Sequence, residues 1–227
     1  KDFQLDLSGE SVDLTGLRCL SNIRKIVIPG GGSNQDFTEV TYLKKVQHLA
    51  SVLYSDISWI ADMENLLSLD IMIDGSLHTL DFIENFKSAQ FLTSLELWIY
   101  CINGSCDNLN FTPLKKLKSM QTTAIFAMKD KIPEIDFEIF SEMKNLKEIY
   151  IRNNYGGVAK NVSKLNNINN LISLGIDMEG YDLSDLNPNS QIIFLVVNDN
   201  VVTTPVVDLF PNLMYLSYID LGVKNTR

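Results

Sequence analysis

The chain has 227 residues, of which 45% are hydrophobic and 21% are charged, so it can bury a sizeable core and is not a disordered chain. Its formal net charge is −9 and its basic residues are scattered, which disfavours a nucleic-acid partner because the protein repels phosphate backbones. The longest apolar run, Ile192 to Val197, is far shorter than the ~20 residues that a membrane span needs. It suits a buried strand and argues against membrane insertion.

One short apolar phrase recurs along the chain. It consists of an apolar residue, two variable residues, a second apolar residue, one variable residue and a third apolar residue. Its copies begin at Ile23, Leu49, Leu66, Leu92, Met120, Leu146, Leu171, Ile192 and Leu213. Alternation at the second and third apolar positions is typical of a strand that is buried on one face, so each copy predicts one short strand.

The segments before these copies carry apolar residues at three-residue steps, as in Leu14, Leu17 and Leu20. That step predicts a short helix or 3-10 turn that packs one side inward. The copies start between 17 and 28 residues apart (66 − 49 = 17; 120 − 92 = 28), so the units are irregular. An asparagine stands directly before five copies, at Asn22, Asn65, Asn145, Asn170 and Asn212.

The predicted elements divide one domain, residues 1–227, into three parts. Residues 1–22 form an N-terminal edge or cap, with an edge strand at Asp2 to Ser8. Residues 23–219 form about nine irregular repeats, and residues 220–227 form a C-terminal tail. A helix is expected at Phe37 to Gln47. Loops are expected at residues 29–34, 101–110 and 128–133.

Two segments, Met63 to Ile71 and Met143 to Ile151, resemble the helix end and strand of leucine-rich repeats. The nearest class is the repeat of about 22 residues shared by bacterial internalins and phosphatase-regulating repeat proteins. The resemblance implies an α/β solenoid with a curved parallel sheet on its concave face and short helices and 3-10 turns on its convex face. The turn asparagine of the family is kept only at Asn154 and Asn200, so we expect an uneven solenoid. The copies at Leu49 and Met120 match the phrase least well, and we expect their predicted register to be wrong by a residue or two.

The middle of the predicted sheet carries large side chains at positions that should face outward. The apolar members are Met72, Trp98, Phe126 and Tyr150, and the charged members around them are Asp70, Glu96, Glu148, Arg152 and Asp177. An exposed cluster of this composition is typical of the hot spots of protein interfaces. The alternative is that loops cover these side chains and make them a second small core.

The predicted function is a non-catalytic module that binds a protein partner through the concave face. The acidity of the chain fits a solvated acidic surface first and a basic protein partner second, carbohydrate is a weaker option, and no cofactor is expected. His48 and His78 lie in unlike settings, and no nucleophile or metal motif accompanies them. Two alternatives stay open: a secreted or surface-anchored bacterial adhesin, and the recognition part of a larger enzyme. A cytoplasmic and a cell-surface location both remain compatible with the sequence.

Three cysteines are present. Cys19 lies in an apolar context and is predicted to be a small core residue. Cys101 and Cys106 flank four residues, which fits two free thiols, a disulfide or, with further ligands, a metal site. Free thiols are favoured over the disulfide, and both over the metal site.

Overall fold

Ten parallel strands form one sheet in chain order in the computed structural model of the protein, which describes residues 3–6, 13–31, 37–53, 56–101, 106–128, 132, 134–153, 157–187, 191–198 and 206–219. The strands of this sheet are β1 (Phe3–Asp6), β2 (Ile23–Gly31), β3 (His48–Leu53), β4 (Ser68–Asp74), β5 (Ser94–Tyr100), β6 (Thr122–Ala127), β8 (Glu148–Asn153), β10 (Ser173–Asp177), β11 (Phe194–Asn198) and β12 (Tyr215–Ile219). A separate pair, β7 (Ile135–Asp136) and β9 (Ala159–Lys160), forms a small parallel sheet. The predicted parallel-sheet solenoid is confirmed, and β1 lies at one edge of the sheet.

Short helices connect the strands and pack against their counterparts in the next repeat. The 3-10 helices are Leu17–Cys19, Thr38–Tyr42, Ser58–Asp62, Asp81–Asn85, Thr112–Lys116, Phe137–Phe140, Val162–Asn167 and Leu183–Asp185, and one α-helix turn spans Val206–Leu209. We call the layer that they form the 3-10 side. No helix among the described residues has the length and apolar character needed to cross a membrane.

The core lies between the sheet and the 3-10 side. The apolar phrase supplies it from the sheet, as Leu66, Leu69 and Ile71 are each at most 1% exposed, and the 3-10 turns supply it from the other layer, as with Ile60 at 0%. Burying one such side chain contributes roughly 1.5–3 kcal/mol. A single unit offers only one apolar layer, so stacking of units is what closes the core.

The predicted register of the copy at Leu49 is wrong. Leu49 pairs with Ile26 and Leu69, which are second apolar positions, so this copy begins at Val46. Its third position is Ser51, whose side chain is buried and whose hydroxyl donates to the Ile28 carbonyl oxygen at 3.2 Å. That hydrogen bond satisfies the buried hydroxyl. Because serine is not an apolar residue, the sequence pattern did not mark Ser51 as the third position of the phrase. The copy at Met120 has the predicted register.

The predicted helix from Phe37 to Gln47 is also wrong. A 3-10 helix, Thr38–Tyr42, occupies its first half, and β3 begins at His48. Val40, Leu43 and Val46 are all buried, and their three-residue spacing matches the 3.0 residues per turn of a 3-10 helix better than the 3.6 of an α-helix. The loop predicted at residues 29–34 is wrong at its start, because β2 continues to Gly31, and residues 32–34 lie outside the described residues.

Asparagines before the strands tie neighbouring repeats together on the 3-10 side. The Asn65 amide donates to the Lys44 carbonyl oxygen at 2.9 Å, and the Asn170 amide donates to the Lys144 carbonyl oxygen at 2.8 Å. These bonds satisfy carbonyl groups that the 3-10 turns leave without a backbone partner. The family-type turn positions 154 and 200, and the predicted tail 220–227, lie outside the described residues.

Candidate functional site

The outer face of the sheet carries three columns of side chains, fixed by the strand register. The opening column is Lys25, His48, Ser68, Ser94, Thr122, Glu148, Ser173, Phe194 and Tyr215. The middle column is Val27, Ala50, Asp70, Glu96, Ala124, Tyr150, Gly175, Val196 and Ser217. The closing column includes Val52, Met72, Trp98, Phe126, Arg152 and Asp177. The predicted site residues therefore lie side by side on β4, β5, β6, β8 and β10.

Three aromatic rings form a continuous row at the centre of this face. Trp98 and Phe126 stack with ring centroids 4.2 Å apart and an interplanar angle of 23°. The Phe126 and Tyr150 centroids are 5.5 Å apart, with the rings tilted by 47°. All three side chains are half-buried, and they cover one another. Aromatic contacts of this kind contribute about 0.5–1.5 kcal/mol each beyond area burial, so the row is held in place before any partner arrives.

Gly175 determines where the Tyr150 ring lies. The two residues are register partners on β10 and β8, and the ring lies across the Gly175 Cα so closely that a Cβ there would overlap the ring carbons. A side chain at position 175 would compete for the same space. Because glycine has no side chain, the Tyr150 ring can lie over β10 and extend the aromatic row.

Two carboxylates stand next to the row. Asp70 and Glu96 are register partners in the middle column of β4 and β5, and the Trp98 indole N–H donates to Glu96 Oε1 at 2.8 Å. Burial raises the pKa of Asp70 above its ordinary value, and the neighbouring negative charge of Glu96 raises that pKa further. A cationic group placed over this pair would relieve the repulsion between the two carboxylates.

The charged rim is only partly as predicted. Glu148 and Arg152 are exposed on the outer face, whereas the prediction of Asp177 as part of an exposed rim is wrong, since its side chain is 1% exposed. Tyr181 follows the strand and folds back against it, and its hydroxyl donates to the Ile176 carbonyl oxygen at 3.0 Å. Burial raises the pKa of Tyr181, and the charge of Asp177 raises it further.

A second aromatic pair lies toward the C-terminal end of the same face. The Phe194 and Tyr215 ring centroids are 5.8 Å apart on β11 and β12, and the two residues are 46% and 51% exposed. The sequence-based site omitted them. The sequence does mark these two residues, because they are the only aromatic residues in an opening column that otherwise carries serine, threonine and charged or polar side chains.

Cys101 and Cys106 are joined in a disulfide with a Cα–Cα distance of 5.5 Å, rather than being two free thiols or metal ligands. Both are buried, and Cys106 Sγ lies so close to Gly75 that a Cβ there would be 2.6 Å from it. Cys19 is exposed, so its prediction as a core residue is wrong. In its 3-10 turn, Leu17 takes the inward position instead.

The described part of the chain contains no group of three or more His, Cys, Asp and Glu side chains placed to hold a metal ion. His48 is exposed in the opening column, whereas His78 is half-buried on the turn after β4. Among the described residues, the outer face therefore offers aromatic rings and charged side chains for binding rather than a metal site.

No protein-family model and no curated protein matches the chain in sequence. Solved structures do match it in shape. An internalin from Listeria monocytogenes is 16% identical with a TM-score of 0.62 over 94% of this chain and 67% of its own, and internalin C2 from Listeria monocytogenes is 16% identical with a TM-score of 0.59 over 95% and 80%. The plant peptide hormone receptor RGFR1, solved in complex with RGF2, is 12% identical with a TM-score of 0.53 over 89% of this chain and 37% of its own.

Proposed function

The chain has the leucine-rich-repeat fold, and on that premise we propose that it is a non-catalytic module that binds a protein partner through the outer, concave face of its sheet. The observation that carries the proposal is the row Trp98, Phe126 and Tyr150, preassembled on that face beside Asp70 and Glu96. Large aromatic side chains in a fixed cluster are typical interface anchors. The adjacent carboxylates favour a partner with basic side chains at the contact.

A protein partner fits the row better than a carbohydrate does. A sugar ring stacks on an aromatic face that is open to solvent, but the Trp98 and Phe126 rings already stack on each other at 4.2 Å. This stacking covers one face of each ring, and Met72, the register partner of Trp98 on β4, adds an apolar side chain alongside. Such a surface is suited to apolar side chains of another protein.

The test is a pull-down from the native host with three baits: the unaltered chain, the double variant Trp98→Ala/Tyr150→Ala, and Phe91→Ala. Phe91 is 47% exposed but lies outside the three columns, so it is a matched control for the loss of an exposed aromatic ring. We expect a partner that the unaltered chain and the control retain and the double variant loses. Titration should then show a loss of about 2–4 kcal/mol in binding free energy for the double variant. Unchanged affinity, with circular dichroism showing the fold intact, would contradict the proposal.

The disulfide favours one version of this function, a secreted or surface-anchored protein. Disulfides persist in oxidising compartments and are rare where glutathione keeps thiols reduced. The measurement is alkylation of the unfolded protein, isolated from its native host, before and after reduction. We expect one reactive cysteine before reduction, Cys19, and three afterwards. Three reactive thiols before reduction would instead favour an intracellular adaptor.

A further inference from the structure

The two aromatic groups on the outer face form one oblique stripe. It consists of Trp98 and Phe126 in the closing column, Tyr150 in the middle column, and Phe194 and Tyr215 in the opening column. The Tyr150 ring lies over Gly175 and so bridges β10, which would otherwise interrupt the series. We call these five residues the aromatic stripe. It runs diagonally across the sheet from β5 to β12.

The dimensions of the aromatic stripe follow from sheet geometry. The strand order β5-β6-β8-β10-β11-β12 contains five strand spacings, or about 24 Å, and the shift by two columns adds about 13 Å along the strands. The stripe is therefore about 27 Å long, with an average advance of about 5.5 Å per strand. An α-helix has a pitch of about 5.4 Å, so its side chains at three- to four-residue spacing advance at the same rate.

From this match we infer that the aromatic stripe is the docking surface for an amphipathic α-helix of the partner, of about 18 residues. The inference rests on the proposed protein-binding function and specifies the partner's chemistry. A helix presents a continuous apolar stripe, which a diagonal row of rings one ring wide can receive. An extended segment would repeat its same-face side chains about every 6.6–6.8 Å and so would drift out of step with the rings.

Charge complementarity defines the flanks of that helix. Glu96 lies on the strand-start side of Trp98, Glu148 lies on the same side of Tyr150, and Asp70 continues this acidic flank onto β4. Arg152 lies on the opposite side of Tyr150. Ion pairs elsewhere on the described part of the chain use other carboxylates, among them Asp62, Glu64 and Glu142. The docked helix should therefore carry lysine or arginine along one flank of its apolar stripe.

The test uses three synthetic 18-residue peptides titrated by isothermal calorimetry. The first is helical, with leucines on one face and lysines along one flank. The second carries glutamates in place of the lysines. The third has the sequence of the first with one central residue replaced by proline, so that it cannot form an unbroken helix. We expect saturable binding of the first peptide and at least tenfold weaker binding of the other two.

Variants of the protein separate this inference from the proposed function. Phe194→Ala/Tyr215→Ala should weaken binding of the lysine-flanked peptide at least tenfold. Glu96→Gln/Glu148→Gln should remove the preference of the protein for the lysine peptide over the glutamate peptide. The control Phe91→Ala should change neither the affinity nor the preference. If the peptide binds but Phe194→Ala/Tyr215→Ala has no effect, the helix does not follow the stripe and the inference fails. Equal binding of the proline-containing peptide, or no binding of any peptide, also overturns it. In each of these cases the pull-down with Trp98→Ala/Tyr150→Ala still decides the proposed function.

Discussion

The two faces of the solenoid use charged residues in different ways. On the 3-10 side, opposite charges of successive repeats pair, as Lys44 with Glu64 and Lys87 with Asp62, each at 2.8 Å. On the sheet face, Asp70 opposes Glu96, a like charge, and the pKa of Asp70 is raised. Both faces are built from the same repeats, so stacking does not require the like-charge pair. The contrast supports a role for the sheet-face carboxylates in binding.

Aromatic residues divide in the same way. Phe137 and Phe140 belong to the 3-10 side but point inward, with 0% exposure and ring centroids 5.6 Å apart. Trp98 and Phe126 have a comparable ring contact but lie on the outer face. Rings on the 3-10 side should therefore contribute mainly to folding, and rings on the sheet face mainly to recognition.

The largest expected effect is on stability, from Phe140→Ala. Removing this fully buried ring leaves a cavity between the two layers, so the free energy of unfolding should fall by about 3–5 kcal/mol. Urea denaturation followed by circular dichroism measures it. The exposed control Phe91→Ala should change the same quantity by less than ~0.5 kcal/mol. If the two variants lost similar amounts, the assignment of the 3-10 rings to the core would be mistaken.

A smaller effect is expected from Gly175→Ala on the sheet face. The added Cβ overlaps the Tyr150 ring, so the ring must move, and such overpacking costs about 1–3 kcal/mol. In a Tyr150→Ala background the same change should cost nothing, because the ring is absent. Urea denaturation of the four proteins in this double-mutant cycle gives the coupling between the two positions. Equal costs in both backgrounds would show that Gly175 does not position the ring.

Gly175 and Tyr150 also show what the sequence alone can predict and what it cannot. Period-two alternation predicted the sheet and the outward placement of Trp98 and Tyr150, because a buried sheet face enforces that alternation. It could not predict that Tyr150 lies over Gly175, since that contact joins residues 25 positions apart (175 − 150 = 25) through the tertiary register. The wrong register at Leu49 arose because the buried Ser51 does not resemble a core residue.

Two further errors have the same origin in contacts beyond the local pattern. Asp177 stands at an outward position of its strand, but Tyr181 folds back beside it and the carboxylate is buried. The state of Cys101 and Cys106 depends on the 5.5 Å distance between their Cα atoms and on the space left by Gly75. Residue type and spacing fix neither, so the sequence left these alternatives open.

Burial of Asp70, together with the like charge of Glu96 beside it, gives a pH-dependent prediction of smaller size. The folded pKa of Asp70 is raised above its ordinary value of 3.8, so its contribution to stability is present below that value and is lost as the pH rises through the folded pKa. At pH 7 the ionised carboxylate is therefore unfavourable, and Asp70→Asn should raise the thermal unfolding midpoint. The gain should vanish below about pH 4. Scanning calorimetry at the two pH values measures it, and a gain that is independent of pH would rule out this origin.

The smallest expected effect comes from the opposite face, at the ion pair of Lys118 and Glu142. Lys118 holds the pKa of Glu142 below its ordinary value of 4.5, first through a hydrogen bond to the carboxylate and then through its charge, so this pair stabilises above that value and the contribution is lost as the pH falls. Both side chains are at least half exposed, and water and salt screen such pairs. Glu142→Gln should lower the unfolding midpoint at pH 7 only slightly, with the sign opposite to Asp70→Asn, and 1 M salt should abolish the difference. If Glu142→Gln destabilised the protein as much as Gly175→Ala does, the 3-10 side would depend on its ion pairs for stability. The two faces would then not differ in the way proposed above.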